Sequence, residues 1–388
     1  MSISTHAAPF TIGTREVSPS HSPYIIAEIG VNHDGSVARA RELIHAAHAA
    51  GADAAKFQMF DASMLMSLDS VLAVYQRERG AQDPRALLSA LQLSPDELGS
   101  LADECVQVGI TPIVTVFSLP LVEHARAQSW HAFKMASPDL VNLPLLKAIA
   151  RLGRPMIVST GAAHREEVAQ AAAWLSDVAN VAFLQCTSSY PTPDERAAIG
   201  GMHDIRAITQ RMTGYSDHTA CIDSGGLAVA AGACILEKHL TYDRNAVGPD
   251  HGASLDAAQF GAYVALARRA ARMIGSHTKQ LQDVEHDVRR VSRQSIVAAH
   301  DLAAGHVLSD ADLCFKRPGT GICASRVAEF VGRTLSREVH FDRVPVTTAI
   351  RLTRHPPQQA RGRSAPRARA CDQQTLQRDS RKSLCLAA

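Results

Sequence analysis

Two lysines, two histidines and three carboxylates each close a short apolar run or lie just beyond one, where a charged or metal-binding group is costly unless it has a partner. Lys56 and Lys134 have apolar neighbours, and a bound phosphate and carboxylate would supply the anion that their ammonium groups need. Thr115, Ser137, Ser159 and Ser216 add hydroxyl donors, so the inventory suits a small polyanion. His218, in Ser216-Asp-His-Thr219, and His239, in Glu237-Lys-His239, are neutral imidazoles with room around them. Such a pair suits a divalent transition ion such as manganese that must still admit a substrate oxygen. In a chain with 18 His either one alone reads as an ordinary loop histidine, and only their convergence makes a ligand pair. Glu28, Glu237 and Asp250 are the acid/base candidates, against the plainer reading of structural salt bridges, with Glu237 reaching Lys238. A Schiff-base lysine, as in a class I aldolase, is the competing chemistry, and the histidine pair puts it second. The glycines of Ser159-Thr-Gly161 and Thr213-Gly-Tyr-Ser-Asp217 fit either backbone approach to phosphate or common turn chemistry.

These residues must be carried by elements that converge. From Pro23 onward, β-rich runs at 24–29, 54–57, 112–117, 132–136, 156–159, 181–185, 213–215 and 234–237 alternate with helical patterns such as 37–50, 96–108, 165–175 and 257–273. Eight strands fit a closed TIM (β/α)8 barrel. A doubly wound open sheet would alternate in the same way, but it would spread the strand-end polar residues along an edge, whereas a barrel gathers them at one mouth. The expected organisation is an N-terminal extension at 1–22, the barrel at 23–276 and a linker at 277–292. A small β-rich domain follows at 293–352, then a disordered basic tail at 353–388.

Composition narrows the class. The 46% hydrophobic and 20% charged content is that of a globular protein, and 5% aromatic residues offer no stacking platform for nucleic acid. Residues 353–388 carry eight Arg/Lys against two Asp, a net +6 that leaves −4 for the rest of a +2 chain, so the basic balance says nothing of a nucleic-acid partner. Eight scattered cysteines without a C-x-x-C pair read as reduced thiols in a cytoplasmic protein. The polar start and the lack of a long apolar run argue against secretion and membrane spanning.

In order along the chain, these residues resemble the sialic acid synthase family. The resemblance runs through Ile26-Ala-Glu-Ile-Gly-Val-Asn-His33, Ala50-Gly-Ala-Asp-Ala-Ala-Lys-Phe-Gln58, Lys134-Met-Ala-Ser137, Ser159-Thr-Gly161, Gln185-Cys-Thr187 with Tyr190-Pro-Thr192, Gly214-Tyr-Ser-Asp-His-Thr219, Glu237-Lys-His239 and Gly248-Pro-Asp250. It continues into a C-terminal module resembling type III antifreeze protein, a β-clip fold, marked by Lys316-Arg-Pro-Gly319. The resemblance implies condensation of phosphoenolpyruvate with N-acetylmannosamine or a related acetamido sugar. A legionaminic or pseudaminic acid synthase using a diacetamido hexose is the alternative; a non-catalytic carbohydrate-binding protein ranks lower. It implies manganese, or else magnesium or cobalt, on His218 and His239, with Lys56, Thr115, Lys134, Ser137, Ser159 and Ser216 on phosphoenolpyruvate. Glu28, Gln58, Tyr190 and Asp250 would face the sugar, with Glu28 and Glu237 the favoured acid and base. Arg317 would reach the barrel of a partner subunit in a domain-swapped homodimer. Three departures stand out: Ser188 replaces an asparagine of some bacterial members, which bears on one phosphate contact; Val116 replaces a frequent proline; and Phe341-Asp-Arg-Val-Pro345 lacks the usual glycine.

Overall fold

The computed structural model describes residues 10–71, 83–276 and 278–343. The chain divides into two compact units, 1–277 and 278–388. The expected tail, and the last part of the expected small domain from 344, lie outside the described residues.

The first unit opens with a short antiparallel hairpin, β1 (Phe10–Ile12) and β2 (Arg15–Val17). Eight parallel strands follow: β3 (Tyr24–Gly30), β4 (Ala54–Met59), β5 (Thr111–Val116), β6 (Ala132–Met135), β7 (Met156–Ser159), β8 (Val181–Cys186), β9 (Met212–Asp217) and β10 (Ile235–His239). They close in the order β10-β3-β4-β5-β6-β7-β8-β9, so the open-sheet alternative is excluded. Each strand overlaps one of the runs expected from the sequence.

Helices connect the strands and carry their own start and stop signals. Pro95–Val108 begins with a capping box between Ser94 and Glu97, has Pro95 in its first turn, and ends at Gly109, whose left-handed φ of +87° favours a residue without Cβ. Ala257–Ile274 is capped by Asp256 and Gln259 in the same way. One apolar core lies between these helices and the outward faces of the strands, built from residues such as Ile25, Phe57, Val114, Phe133 and Phe183. A second fills the barrel floor, where inward-facing Tyr24, Ile26, Ala54, Ile113, Ala132, Ile157, Ala182, Leu184, Met212 and Ile235 meet Phe10, Ile12 and Val17 of the hairpin. Part of the stretch expected as an extension therefore plugs the barrel from below.

In the second unit, the stretch expected as a linker holds a short helical turn (Asp283–Glu285) and the helix His286–Ser292. Strands β11 (Ser295–Ala298) and β12 (Leu313–Lys316) pair antiparallel over a small core of Ile296, Leu302, Leu308, Ile322, Phe330 and Leu335. Where the expected glycine is missing, Asp342 adopts φ +59°, a conformation Asp tolerates, and its carboxylate pairs with Lys316 at 2.6 Å.

Candidate active site

Side chains on a strand alternate between its two faces, so residues that share the parity of the apolar floor also point inward. Toward the C-terminal strand ends these become Glu28, Lys56, Gln58, Thr115, Lys134, Ser159, Cys186, Ser216, Glu237 and His239. The register stacks them as neighbours: Glu28 opposite Lys56, Gln58 opposite Thr115, Thr115 opposite Lys134, Cys186 opposite Ser216, Ser216 opposite Glu237, and His239 opposite Glu28 where the barrel closes.

The two lysines are almost fully buried. Lys56 Nζ lies 2.5 Å from Glu28 Oε2 and donates to Thr115 Oγ1 at 2.9 Å. Lys134 Nζ donates to Ser159 Oγ at 2.6 Å and stands 3.6 Å from Glu237 Oε1. Gln58 Nε2 donates to Glu28 Oε1 at 2.9 Å, and Ser216 Oγ donates to Glu237 Oε1 at 3.0 Å. Glu237 does not pair with Lys238, which faces the other side of the strand and pairs with Asp217. The sequence neighbour was the wrong partner because adjacent strand residues point in opposite directions.

The two carboxylates are pushed apart electrostatically. Burial raises the pKa of Glu28 despite the pull of Lys56, with Glu237 adding to the rise. Burial also acts to raise that of Glu237, but Lys134, Lys56 and the Ser216 hydroxyl together outweigh it and hold the group below the ordinary carboxylate value. The two carboxyls thus differ in proton affinity, Glu28 the higher and Glu237 the lower, which is the order an acid/base pair requires. Burial lowers the pKa of Lys134.

Beside the lysines, Gly161 donates its backbone N–H to Ser137 Oγ at 2.9 Å. A Cβ at position 161 would sit 2.3 Å from Ser188 Oγ, 2.8 Å from Ser137 Oγ and 2.9 Å from Cys186 Sγ. Ser188 thus shares this cradle with Ser137.

His218 and His239 come together after β9 and at the end of β10, their ring centroids 5.5 Å apart, with the Tyr190 ring 4.1 Å from His218 and 5.9 Å from His239. Burial and the surrounding positive charges, His218 first, hold His239 well below the usual imidazole pKa, so it is neutral. Its Nδ1 is buried without a hydrogen-bond partner, 3.9 Å from Asp250 Oδ2. His218 Nδ1 meets the Thr187 carbonyl at 2.9 Å, which leaves Nε2 as the nitrogen for a ligand. Burial alone would lower the pKa of His218, but Cys186, the Thr187 carbonyl and Glu237 raise it to about 9. These residues fit a divalent ion in kind: a neutral imidazole with an unused nitrogen, a second imidazole that is oriented by a carbonyl and that a cation would bind at Nε2 in place of the proton its raised pKa favours, and a carboxylate close by. Among the described residues no three His, Cys, Asp or Glu side chains gather as a ready metal site. An ion on this pair would keep most of its positions for water or substrate.

Two contributors escaped the sequence reading. Cys186, which lies in the Gln185-Cys-Thr187 motif but was given no role of its own, faces the mouth with Sγ 3.7 Å from His218 Nδ1; burial pushes its pKa up, but His218, Ser137 and Lys134 bring it down to about 7. Its strand parity with Leu184 was the available signal. Asp34, at φ +51°, accepts from Tyr242 Oη at 2.9 Å and meets His251 Nε2 at 2.9 Å, which ties the loop after β3 to the loop that carries Asp250. Arg317 lies in the second unit, after β12, beside a groove shared with Arg293, Gln294 and Cys323.

A family model described as NeuB family matches residues 43–279, and one described as SAF domain matches residues 293–344. The chain is 35% identical over 327 residues to N,N'-diacetyllegionaminic acid synthase of Campylobacter jejuni, covering 82% of this chain and 97% of that one. It is 32% identical over 298 residues to mouse N-acetylneuraminate-9-phosphate synthase, covering 76% and 83%. Among solved structures, N-acetylneuraminic acid (sialic acid) synthetase of Leptospira borgpetersenii, in complex with citrate, superposes with a TM-score of 0.66 at 27% identity, covering 73% of this chain and 95% of that one.

Proposed function

The chain belongs to the NeuB family and carries a C-terminal SAF domain, and from that premise we propose that it condenses phosphoenolpyruvate with an acetamido hexose and water, giving a nonulosonic acid and phosphate. The observation that carries this reading is the pair of buried ammonium groups, Lys56 and Lys134, beside a hydroxyl cradle and two carboxylates of opposed proton affinity. A dry site pre-equipped with cations stabilises a small dianion far better than water-exposed lysines would.

In this reading Lys56, Lys134, Thr115, Ser159 and Ser216 hold the carboxylate and phosphate of phosphoenolpyruvate, and Gly161, Ser137 and Ser188 support the phosphate end. Glu28, Gln58, Tyr190 and Asp250 orient the sugar. His218 and His239 hold a divalent ion, manganese by ligand type, with magnesium or cobalt as alternatives; when bound, it supplies Lewis-acid polarisation of the sugar's aldehyde oxygen. Carbon 3 of the enol bonds to the aldehyde carbon, water adds at carbon 2, and the tetrahedral centre expels phosphate. Glu28, the carboxyl of higher proton affinity, passes a proton to the new alkoxide. Glu237, the carboxylate, takes the proton of the attacking water. Arg317 completes the sugar site of a partner subunit in a domain-swapped homodimer.

The acceptor is N-acetylmannosamine or a close relative; the 35% identity to a diacetyllegionaminic acid synthase favours, as a second reading, a diacetamido hexose. Phosphate release from phosphoenolpyruvate is the test, with N-acetylmannosamine, its 6-phosphate and diacetamido hexoses offered in turn. Release with none of these sugars, from folded metal-loaded protein, would overturn the proposal.

A further inference from the structure

Behind the barrel mouth, on the outward faces of β9 and β10, a second set of polar side chains is sealed from solvent. Lys238 and Asp217 are register partners, Nζ 3.1 Å from Oδ2, with both side chains fully buried. Asp217 accepts hydrogen bonds from the Thr219 amide at 2.9 Å, Thr219 Oγ1 at 2.8 Å and Ser224 Oγ at 2.5 Å. Lys238 donates to the Thr219 carbonyl at 2.5 Å and to Thr219 Oγ1 at 3.2 Å, and its ammonium lies 5.6 Å from the centre of the Tyr263 ring. Both charges are thus neutralised and hydrogen-bonded within the protein, and the pair is not itself a ligand site.

Its place in the chain gives it a different significance. Asp217 and Thr219 flank His218, and Lys238 separates Glu237 from His239. The network therefore grips the backbone on both sides of one imidazole and between the second imidazole and the base. A buried ion pair adds little net stability, because desolvation offsets its attraction, and fixing a register is its best-attested use. The demand for such fixing is high here. Among the described residues no three His, Cys, Asp or Glu side chains gather around the two imidazoles, so little compensates when one nitrogen drifts, and ligand placement must hold to a fraction of an ångström.

We propose that the Asp217–Lys238 pair, with Thr219 and Ser224, is the positioning clamp of the candidate metal site: it locks β9 against β10 and pins the 217–219 turn so that His218 and His239 present their nitrogens to one ion. The inference rests on the reading of those two histidines as ligands.

The test is manganese titration of the full chain after chelator stripping, with free Mn2+ read by electron paramagnetic resonance and folding read by thermal melts. Asp217→Asn/Lys238→Met removes both charges at similar volume and strands neither. This double variant is expected to melt cooperatively and to bind manganese at least about tenfold more weakly than wild type. Ser224→Ala, which deletes one hydrogen bond to Asp217, is expected to weaken binding several-fold, and it carries the test alone if the double variant does not fold. A merely structural pair would lower the melting temperature and leave the manganese Kd within twofold; that result overturns the clamp. His218→Ala is the control for the underlying reading: if it binds manganese as wild type does, the two-histidine site itself is wrong and the clamp has no object.

Discussion

Lys134 and Glu237 reach each other across the full width of the barrel, Nζ 3.6 Å from Oε1, from strands four places apart in the closed order. In an open sheet, four strand spacings of about 4.8 Å would hold their backbones roughly 19 Å apart. Closure is thus what brings a cation from β6 to the carboxylate of β10, and that cation is one of the charges that keeps Glu237 ionised.

Lys134→Met should therefore act on Glu237 as well as on the substrate anion. Without the lysine, burial is less opposed and the pKa of Glu237 rises, so a base that must be ionised is lost at higher pH than in the wild type. We expect the acidic limb of the kcat/KM profile to move to higher pH and kcat/KM at its plateau to fall by about 10²–10³. Phosphate-release rates between pH 5 and 9 check both, and an unmoved acidic limb removes Glu237 from the base role.

Chelator-stripped protein should lose phosphate release and regain it with manganese, because the aldehyde oxygen has no other strong electrophile in the proposed site. His218→Ala and His239→Ala should resist rescue. Full turnover after verified metal removal would discard the metal assignment.

Gly161→Ala probes the phosphate cradle. The added methyl would lie 2.3 Å from Ser188 Oγ and 2.8 Å from Ser137 Oγ, so those hydroxyls must swing away from the space assigned to phosphate. Because all three obstacles, these hydroxyls and Cys186 Sγ at 2.9 Å, are small side chains and not backbone, the fold should tolerate the change. The KM for phosphoenolpyruvate should rise about tenfold or more, the equivalent of one lost hydrogen bond to a charged group. An unchanged KM would move the phosphate elsewhere.

The mouth was legible in the sequence because its residues obey a period of two: Lys56, Lys134 and Glu237 share parity with apolar floor residues and close runs that any β pattern reveals. Ranking Glu237 with Lys238 failed for the same reason, since neighbours in sequence occupy opposite faces. Cys186 was given no role because a lone thiol without a C-x-x-C partner carries no signal of its own, and only its strand parity places it at the mouth. Arg317 is assigned a task by resemblance alone, as nothing in its local pattern gives it one. The plug at Phe10–Val17 was hidden because strands of three residues lie below the length at which alternation can be recognised.

Arg317 is tested by mixing subunits. Arg317→Ala and Glu28→Ala should each be nearly inactive alone. If the arginine of one subunit serves the barrel of another, heterodimers contain one intact composite site and activity returns in part. Subunits that demonstrably exchange without recovery would place Arg317 outside any shared site.

The hairpin plug yields a prediction remote from the chemistry. Phe10, Ile12 and Val17 are at most 2% exposed and close the floor over Tyr24 and Ile26. Polar contacts fix them there: Thr11 N donates to Asn180 Oδ1 at 3.2 Å, Asn180 Nδ2 returns a bond to the Thr11 carbonyl at 2.9 Å, and Arg15 pairs with Asp53 while its guanidinium lies 5.2 Å from the Tyr24 ring. Because the surrounding barrel is closed by backbone hydrogen bonds, it has little freedom to collapse into a void left by Phe10→Ala. We expect the variant to lose on the order of 3 kcal/mol in chemical denaturation. The mouth is built from the opposite ends of the same strands, so KM values measured below the unfolding transition should match wild type. A loss below about 0.5 kcal/mol would mean that the hairpin rests on the barrel without plugging it.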